Sequence, residues 1–299
     1  MGVYNGAKYI GEQLESIANQ THKNWRLIIS DDGSTDGTPT HVERHTNGWQ
    51  NGQVEVRQGP KKGFCQNFLS MACDPGIEAD YYAFADQDDV WLPEKLEVAI
   101  RHIEKHAQLM EPYLYCGRTS YVRDNLKPYA QSPLFVYPRT FRNALVQSIA
   151  GGNTMVFNRA AKKLIEKAGL VPAVSHDWWL YQLITGAGGR VHYDQDSYIL
   201  YRQHEDALIG GNNSIINKLE RIIMVFRGQF RTWINQNITS LEQASGCLNH
   251  GAQEILDIFK RLRGSNIKHR LRMLEVCGLY RQTWRGTISL FIAAFINKL

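Results

Sequence analysis

The 299-residue chain has an ordinary globular composition, with 43% hydrophobic and 21% charged residues, which excludes a disordered or collagen-like protein. Its five cysteines contain no CxxC pair, which excludes a disulfide scaffold and favours a cytoplasmic protein. The charge is unevenly divided, because residues 215–299 carry 13 Lys/Arg against 5 Asp/Glu whereas residues 1–214 carry 21 against 24. An acidic first part and a basic second part predict two regions with different roles.

Residues 1–106 alternate between strand-like and helix-like hydrophobic patterns. We predict strands over 25–30, 53–58 and 81–85, and helices over 7–19, 38–44, 64–72 and 93–106. Strands that alternate with helices at this spacing predict a mostly parallel sheet with helices on both faces.

The pattern after residue 106 is less regular, and residues 124–148 are rich in proline and aromatic residues. We predict strands over 113–120, 154–157 and 191–202, and helices over 159–168 and 175–185. Asn158 is expected to cap the first of these helices and Gly169 to end it, while Ser175 is expected to cap the second. From Ile215 onward the pattern is helical.

Two groups of carboxylates directly follow apolar strands: Asp31-Asp32, and Asp86-Gln87-Asp88 with Asp89 beside it. Ligands of open parallel sheets bind at the carboxyl ends of the strands, so both groups are expected on one edge. Clustered carboxylates repel one another, and Mg²⁺ or Mn²⁺ would relieve that repulsion and leave positions for phosphate oxygens. Each group alone is also compatible with an acidic turn that caps the next helix.

Four segments occur in a characteristic order: YNG at 4–6, QTHKNWRLIISDDGSTDGT at 20–38, KKGFCQNF at 61–68 and YYAFADQDDVWLPEKL at 81–96. Together they resemble the nucleotide-binding half of the inverting glycosyltransferases of family 2. The phrase FADQDDVWLPEKL and the later YRQH at 201–204 are similar to the bacterial rhamnosyltransferases of surface polysaccharide synthesis. The resemblance covers about residues 3–210 and implies a GT-A fold, a Rossmann-like α/β architecture with a mostly parallel sheet flanked by helices.

The resemblance implies a donor site. Tyr4 and Asp32, with Asp31 beside it, match positions near the nucleotide base. Gly63 and Asn67 match the stretch that lines the nucleotide. Asp86 and Asp88 match the DxD motif that holds the ribose and, through Mg²⁺ or Mn²⁺, the diphosphate, with Asp88 as the more direct metal ligand.

The resemblance also implies a catalytic base, for which Asp177 is the candidate, although His176 stands where such families commonly have Glu. Its position in the first turn of a helix favours the charged carboxylate, and the neighbouring indoles oppose it. Trp178 and Trp179 are candidates for stacking on an acceptor sugar, or alternatively core aromatics.

Two further loops come with the resemblance. Gly152 and Asn153 match the acceptor-side loop, or form a plain tight turn. Arg202 and His204 match a flap that folds over the diphosphate, and a surface arginine is the alternative. Only three residues precede Tyr4, so the first strand of the sheet is expected to be largely missing, through a misplaced start, a trimmed chain or an inactive protein.

These observations divide the chain into a catalytic domain over 1–214, with a nucleotide part over about 1–110 and an acceptor part over about 111–214, and a basic amphipathic helical region over 215–299. Basic and apolar residues interleaved on helices favour an anionic membrane surface as partner, and a helical bundle packed on the catalytic domain is the alternative. No nucleic-acid-binding motif accompanies the charge.

The resemblance therefore implies a metal-dependent transfer of L-rhamnose from dTDP-rhamnose to a lipid-linked saccharide, by a protein that is peripheral on the inner face of the cytoplasmic membrane. A family 2 transferase that uses a UDP-sugar and an inactive sugar-nucleotide-binding scaffold remain the alternatives.

Overall fold

The computed structural model describes residues 1–50, 52–108, 110–203 and 229–299. Its strands are β1 Gly2–Val3, β2 Leu27–Asp31, β3 Val54–Gln58, β4 Tyr81–Ala83, β5 Val90–Trp91, β6 Tyr113–Val122, β7 Pro128–Gln131, β8 Val156–Asn158 and β9 Arg190–Arg202. Its helices are α1 Ile10–Ala18, α2 Thr38–Thr46, α3 Phe64–Ala72, α4 Lys95–His106, α5 Phe141–Ala144, α6 Arg159–Ala168, α7 His176–Gly186, α8 Gln229–Gln243, α9 His250–Gly264, α10 Ile267–Cys277 and α11 Trp284–Phe295. Short 3₁₀ turns lie at Gly152–Thr154 and Ser245–Cys247.

The strands form two sheets. The first has three parallel strands in the order β1-β2-β3. The second has the order β4-β8-β6-β9-β5, with β7 on the outer part of β6, and its only parallel pair among the described strands is β6 with β9. The predicted parallel arrangement is confirmed for β1, β2 and β3. It is wrong for the predicted strand over 81–85, because β4 lies in the second sheet and pairs antiparallel with β8, as β5 does with β9.

The first strand is short but present. Gly2 and Val3 pair in parallel with Ser30 and Asp31 of β2, and Val3 is buried in the hydrophobic cluster of this half. The backbone of Asp32 donates to the carbonyl of Val3 at 2.9 Å. The end of β1 therefore lies beside the end of β2, so that Tyr4 follows directly onto the edge that carries Asp31 and Asp32.

The helices of the C-terminal region pack on the preceding α/β part of the chain. Ile234, Leu241 and Phe259 belong to the same hydrophobic cluster as Trp179 of α7, and the backbone nitrogen of Asn249 donates to a carbonyl at the end of α7. The helical bundle predicted as one alternative is therefore observed for the described residues 229–299. Deleting residues 215–299 would remove part of this cluster, so truncation is no clean test of their role.

Within the four described ranges, no helix combines the length and the hydrophobicity that crossing a bilayer requires.

Candidate active site

The ends of β1 and β2 form one wall of the candidate site. The Oδ1 atom of Asp31 accepts hydrogen bonds from the backbone of Gly33 and Ser34 and from the Ser34 hydroxyl, so this carboxylate fixes the turn that leads to α2. Tyr4 is 58% exposed, and its ring is available to a ligand. Asp31 therefore has mainly a structural role in this turn.

Asp32 fixes the loop before α3. Its Oδ1 accepts from the backbone nitrogen of Lys61 at 2.6 Å and its Oδ2 from that of Gly63 at 2.8 Å. Gly63 has φ 84°, a left-handed conformation that favours glycine. Asn67 is buried, where it accepts from the Ser30 hydroxyl and donates to the Ser30 carbonyl. Asn67 is thus a buried partner of Ser30, which corrects its prediction as a nucleotide contact. Each oxygen of Asp32 keeps a second lone pair for a ligand.

The DxD segment follows β4 and faces this wall. Burial, with the nearby carboxylates of Asp88 and Asp177, raises the pKa of Asp86 to about 7. Three acidic groups from two distant segments therefore lie close enough to repel one another. Asp86, Asp88 and Asp177 were predicted separately from the sequence, and the fold places them in one site.

Asp89 points into the protein instead. Its side chain is fully buried, where Oδ2 accepts from the Asn153 amide at 2.6 Å and Oδ1 from the backbone of Arg202 at 3.3 Å. Burial and the charges of Asp88 and Asp86 raise the pKa of Asp89 well above its usual value. Asn153 is thus a buried partner of Asp89, which corrects its prediction as an acceptor contact.

Arg202 is also buried, with 1% of its surface exposed. Its guanidinium donates to the carbonyls of Asp88 (3.0 Å) and Asp124 (3.2 Å) and forms an ion pair with Glu12. It also lies over the ring of Tyr9 at 4.6 Å. All these partners belong to the protein, so Arg202 fixes the DxD loop, and its prediction as a flexible flap arginine is wrong. His204 lies outside the described residues.

Two glutamines that the sequence analysis did not select support the same loop. The Gln13 amide donates to the carbonyl of Asp86 at 2.8 Å. Gln87, the middle residue of the DxD motif, accepts from the backbone nitrogen of Tyr4 at 2.8 Å and donates to its carbonyl at 2.9 Å. The position of Gln87 inside the motif was a usable signal for its role, whereas nothing in the spacing indicated Gln13 or Glu12.

Asp177 lies in the first turn of α7. Its Oδ1 accepts from the Ser175 hydroxyl at 2.5 Å and from the backbone nitrogen of Trp178 at 2.6 Å. Ser175 occupies the N-cap position as predicted, but its hydroxyl binds Asp177 rather than a backbone nitrogen of the helix. From the residues that the structure describes, no hydrogen bond reaches Oδ2 of Asp177, which leaves that oxygen for a substrate.

His176 is a core residue, as the departure from the family pattern suggested. Its ring stacks on Phe68 with centroids 4.0 Å apart and meets Phe84 edge-on at 4.7 Å. Burial lowers the pKa of His176 to about 4, so the ring is neutral near pH 7. A Cβ atom on Gly152 would lie 2.2 Å from its Nε2 atom, and Gly152 therefore serves close packing, which corrects its prediction as an acceptor contact.

Trp178 and Trp179 also belong to the core. Trp179 has no exposed surface, and Trp178 is buried with its Nε1 atom donating to the carbonyl of Ala144 at 2.7 Å. Neither indole presents a face to an acceptor sugar. Of the two alternatives from the sequence, the core reading is correct.

A cleft of about 530 Å³ opens between the start of α3 and the loop before α7. Its walls include Lys62, Phe64, Leu170 and Pro172. Burial and the charge of Asp177 raise the pKa of the Cys65 thiol in this wall to about 12, so Asp177 lies near the cleft. The cleft combines apolar walls with one cation, and the sequence pattern gave no indication of it.

The metal ligands available from the protein are few. Across the described part of the chain, no three His, Cys, Asp or Glu side chains form a ready-made metal site. Asp86 and Asp88 nevertheless offer carboxylate oxygens, and Mg²⁺ sites that use one or two carboxylates with substrate phosphates are common. The residues present fit such a shared site.

A family-wide sequence pattern, described as Glycosyl transferase family 2, matches residues 1–165. This is more than half of the chain, and it contains both acidic groups of the site. The chain belongs to glycosyl transferase family 2. The GT-A expectation is confirmed by the fold, and glycosyl transfer is the chemistry of this family.

Two curated relatives are informative. A dTDP-rhamnosyl transferase of Shigella flexneri is 29% identical over 258 residues, which cover 82% of this chain and 84% of the relative. A UDP-Glc:alpha-D-GlcNAc-diphosphoundecaprenol beta-1,3-glucosyltransferase of Escherichia coli is 28% identical over 114 residues, or 36% of this chain and 40% of that protein. The first similarity extends well past the family match, into the C-terminal region.

Solved structures share the fold. S. aureus TarS 1–349 in complex with UDP-GlcNAc has a TM-score of 0.53 at 17% identity, covering 93% of this chain and 91% of that one. A mannosyltransferase from Pyrobaculum calidifontis in complex with GDP-Man and Mn²⁺ has a TM-score of 0.51 at 18% identity, covering 99% and 85%. Both cover the chain nearly from end to end.

Proposed function

We propose that this family 2 enzyme is an inverting, metal-dependent glycosyltransferase that moves L-rhamnose from dTDP-rhamnose onto a lipid-linked saccharide during synthesis of a bacterial surface polysaccharide. The observation that carries the proposal is that Asp86, Asp88 and Asp177 lie near enough to act on one another: burial, followed by the charges of Asp88 and Asp177, raises the pKa of Asp86. Acidic groups that are buried and repel one another are typical of a site built for a cation and a proton transfer.

The donor nucleotide is proposed to lie on the wall formed by Tyr4 and Asp32. The exposed ring of Tyr4 offers a stacking surface for the base, and Asp32 offers oxygen lone pairs to its N–H groups. Gln87 holds the Tyr4 backbone, so the DxD loop and the base wall are positioned together.

Asp86 and Asp88 would hold Mg²⁺ or Mn²⁺. A cation held there would offset the charge that develops on the departing nucleoside diphosphate. This proposal is supported by the way the two aspartates are held, because Arg202 donates to the carbonyl of Asp88 and Gln13 to that of Asp86.

Asp177 is proposed to act as the general base. The acceptor hydroxyl oxygen attacks the anomeric carbon as the bond from that carbon to the diphosphate breaks, and Asp177 Oδ2 takes the hydroxyl proton. Ser175 and the Trp178 backbone fix the other oxygen, which orients the carboxylate for this transfer. A single displacement of this kind inverts the anomeric configuration.

The acceptor is proposed to approach through the cleft between α3 and the loop before α7. Apolar walls at Phe64 and Leu170 suit the saccharide face or the start of a lipid chain, and Lys62 suits a linking phosphate. A diphosphoundecaprenol acceptor in the name of the E. coli relative supports the lipid-linked class. Such an acceptor would bring the protein to the inner face of the cytoplasmic membrane as a peripheral protein.

The donor sugar is proposed from the Shigella flexneri relative, whose similarity covers most of both chains. The test is titration calorimetry of the full chain with dTDP-rhamnose, UDP-glucose, UDP-GlcNAc and GDP-mannose, each with Mn²⁺ and with EDTA. We expect the tightest binding for dTDP-rhamnose, lost with EDTA. Tighter binding of a UDP-sugar would support the proposed transferase and contradict L-rhamnose as its donor sugar. Donor binding without turnover would favour an inactive scaffold.

A further inference from the structure

The C-terminal helix α11 has an exposed apolar face. Trp284, Ile288, Ile292 and Phe295 are 62%, 49%, 52% and 57% exposed. They recur at intervals of four, four and three residues, which places them on one side of a helix. Large apolar side chains that are this exposed and this contiguous typically mark an interaction surface.

The opposite side of α11 is fixed to the protein. Leu290, Ala293 and Ala294 are buried, the first and last of them in the large hydrophobic cluster. The buried Arg270 of α10 donates to the carbonyl of Ala294 at 2.9 Å. The exposed stripe therefore lies on a helix whose other face already packs, so the protein presents it on a firm support.

A second segment extends this surface. The Gln282 side chain, just before α11, accepts from the backbone nitrogen of Tyr137 at 3.0 Å and donates to the carbonyls of Tyr137 and Pro138. In that loop Leu134, Val136 and Tyr137 are 45%, 66% and 43% exposed. Gln282 thus joins this loop, which carries exposed apolar groups, to the segment just before α11.

The charged residues close to the stripe in sequence are mostly basic. Between residues 265 and 299 the sequence has six Lys/Arg and one acid, Glu275. Lys268 and Arg272 are exposed on α10, and Arg285 is exposed beside Trp284. Cations beside an apolar stripe complement an anionic phospholipid surface, whereas they would oppose a second copy of the same basic surface.

The length of α11 decides how it would meet a bilayer. Its 12 residues extend about 18 Å, too short to cross the ~30 Å hydrocarbon core. A helix with one face anchored to the protein can lie in the headgroup region with its other face toward the acyl chains.

We infer that the stripe Trp284–Ile288–Ile292–Phe295, with the loop over 134–137, is the surface that docks on a bilayer containing anionic phospholipid. The inference rests on the proposed function, because a lipid-linked acceptor gives the protein a reason to bind a membrane. It concerns a different surface from the proposed active site. It assigns the docking to α11 rather than to the basic region as a whole.

The test is flotation of the full chain with vesicles of phosphatidylcholine alone or with phosphatidylglycerol added. The double variant Ile288→Ser/Ile292→Ser is compared with Val56→Ser/Met110→Ser, which removes exposed apolar groups elsewhere. We expect binding to the anionic vesicles only, at least tenfold weaker in the α11 variant and unchanged in the control. Replacing Arg272 and Arg285 by Gln should weaken binding about fivefold for each cation.

Three results would overturn the inference: no binding of the unaltered chain to anionic vesicles, equal binding by the α11 variant, or lipid-free self-association that the α11 variant abolishes. The vesicles contain neither donor nor acceptor, so this outcome is independent of turnover. Vesicle binding without sugar transfer would support the docking surface and contradict the proposed function. Sugar transfer to a water-soluble acceptor without vesicle binding would support the proposed function and contradict the docking surface.

Discussion

Gln87 and Tyr4 exchange two hydrogen bonds, from the Tyr4 backbone nitrogen to Gln87 Oε1 and from Gln87 Nε2 to the Tyr4 carbonyl. The two residues are 83 positions apart, one inside the DxD motif and one at the end of β1. A neutral amide can satisfy both backbone groups at once, whereas a carboxylate lacks the donor. In the proposed donor site, the pair joins the metal side to the base side.

Replacing Gln87 with Ala should therefore weaken donor binding by up to about thirtyfold, because two hydrogen bonds of about 1 kcal/mol each no longer position Tyr4. Calorimetric titration with dTDP-rhamnose and Mn²⁺ measures the effect. Gln243→Ala, at an exposed position at the end of α8, is the control. Unchanged affinity in Gln87→Ala would mean that the Tyr4 backbone is held by other contacts.

Replacing Asp88 with Ala should abolish the dependence of donor binding on metal. We expect the ratio of affinities with Mn²⁺ and with EDTA to fall close to one, since Asp88 is proposed as the more direct of the two metal ligands. Asp196→Ala, an exposed aspartate in β9, should keep the ratio of the unaltered protein. A metal-dependent Asp88→Ala variant would move the cation to another part of the structure.

Gly152 should not tolerate a methyl group. A Cβ atom there would lie 2.2 Å from Nε2 of the buried His176, and overpacking of this kind costs about 1–3 kcal/mol of the free energy of unfolding. Urea unfolding of Gly152→Ala measures it. Gly246→Ala is the matched control, because its Cβ would meet no atom within 4 Å. Equal stability of the two variants would show that His176 moves aside without cost.

The stacked histidines His102 and His192 should contribute stability that is lost in mild acid, whereas the raised pKa values of Asp86 and Asp89 act in the opposite direction. Burial and the charges of His192 and His106 lower the pKa of His102 to about 4, and burial lowers that of His192. Because the folded state disfavours the charged rings, their contribution is complete above the ordinary value of about 6.5 and is lost as the pH falls toward 4.

Urea unfolding at pH 7 and pH 5 tests this. His102→Gln, which keeps an amide for the Tyr113 hydroxyl, should show a smaller loss between the two pH values, whereas the exposed His269→Gln should behave like the unaltered protein. In both variants the buried His176 still makes the unfolding free energy depend on pH. If the difference in unfolding free energy between pH 7 and pH 5 is unchanged in His102→Gln, the stacked histidines are not the source of that difference.

Local sequence patterns predicted the bounds of several helices well. The bounds of α3 agree with the prediction, and α6 begins and ends as expected, with Asn158 capping it through the Ala161 nitrogen and Gly169 following it at φ 70°. Signals of this kind act over a few residues, so the sequence alone contains them. The two acidic groups also lie near one another, but not through a shared parallel edge, because β2 and β4 belong to different sheets. The hydrogen bonds between Gln87 and Tyr4 join the two strand ends instead.

The corrections to the site residues mostly concern side-chain direction. Arg202, Asn153, Trp178 and Trp179 lie at motif positions that the family pattern associates with ligands, yet each is buried against protein groups. Whether a polar side chain turns inward depends on partners far away in sequence, such as Glu12 for Arg202 and Asp89 for Asn153. Burial of this kind follows from three-dimensional packing, which spacing does not encode.

The central claim is that Asp177 removes the acceptor proton, and Asp177→Asn tests it most directly. The amide keeps an oxygen for Ser175 and the Trp178 backbone, so the fold and the donor site should survive. We predict a loss of turnover of about 10²–10⁴-fold with donor affinity unchanged, measured on the same preparation by product formation and by calorimetry. Turnover within a few-fold of the unaltered enzyme would contradict the account and require another base.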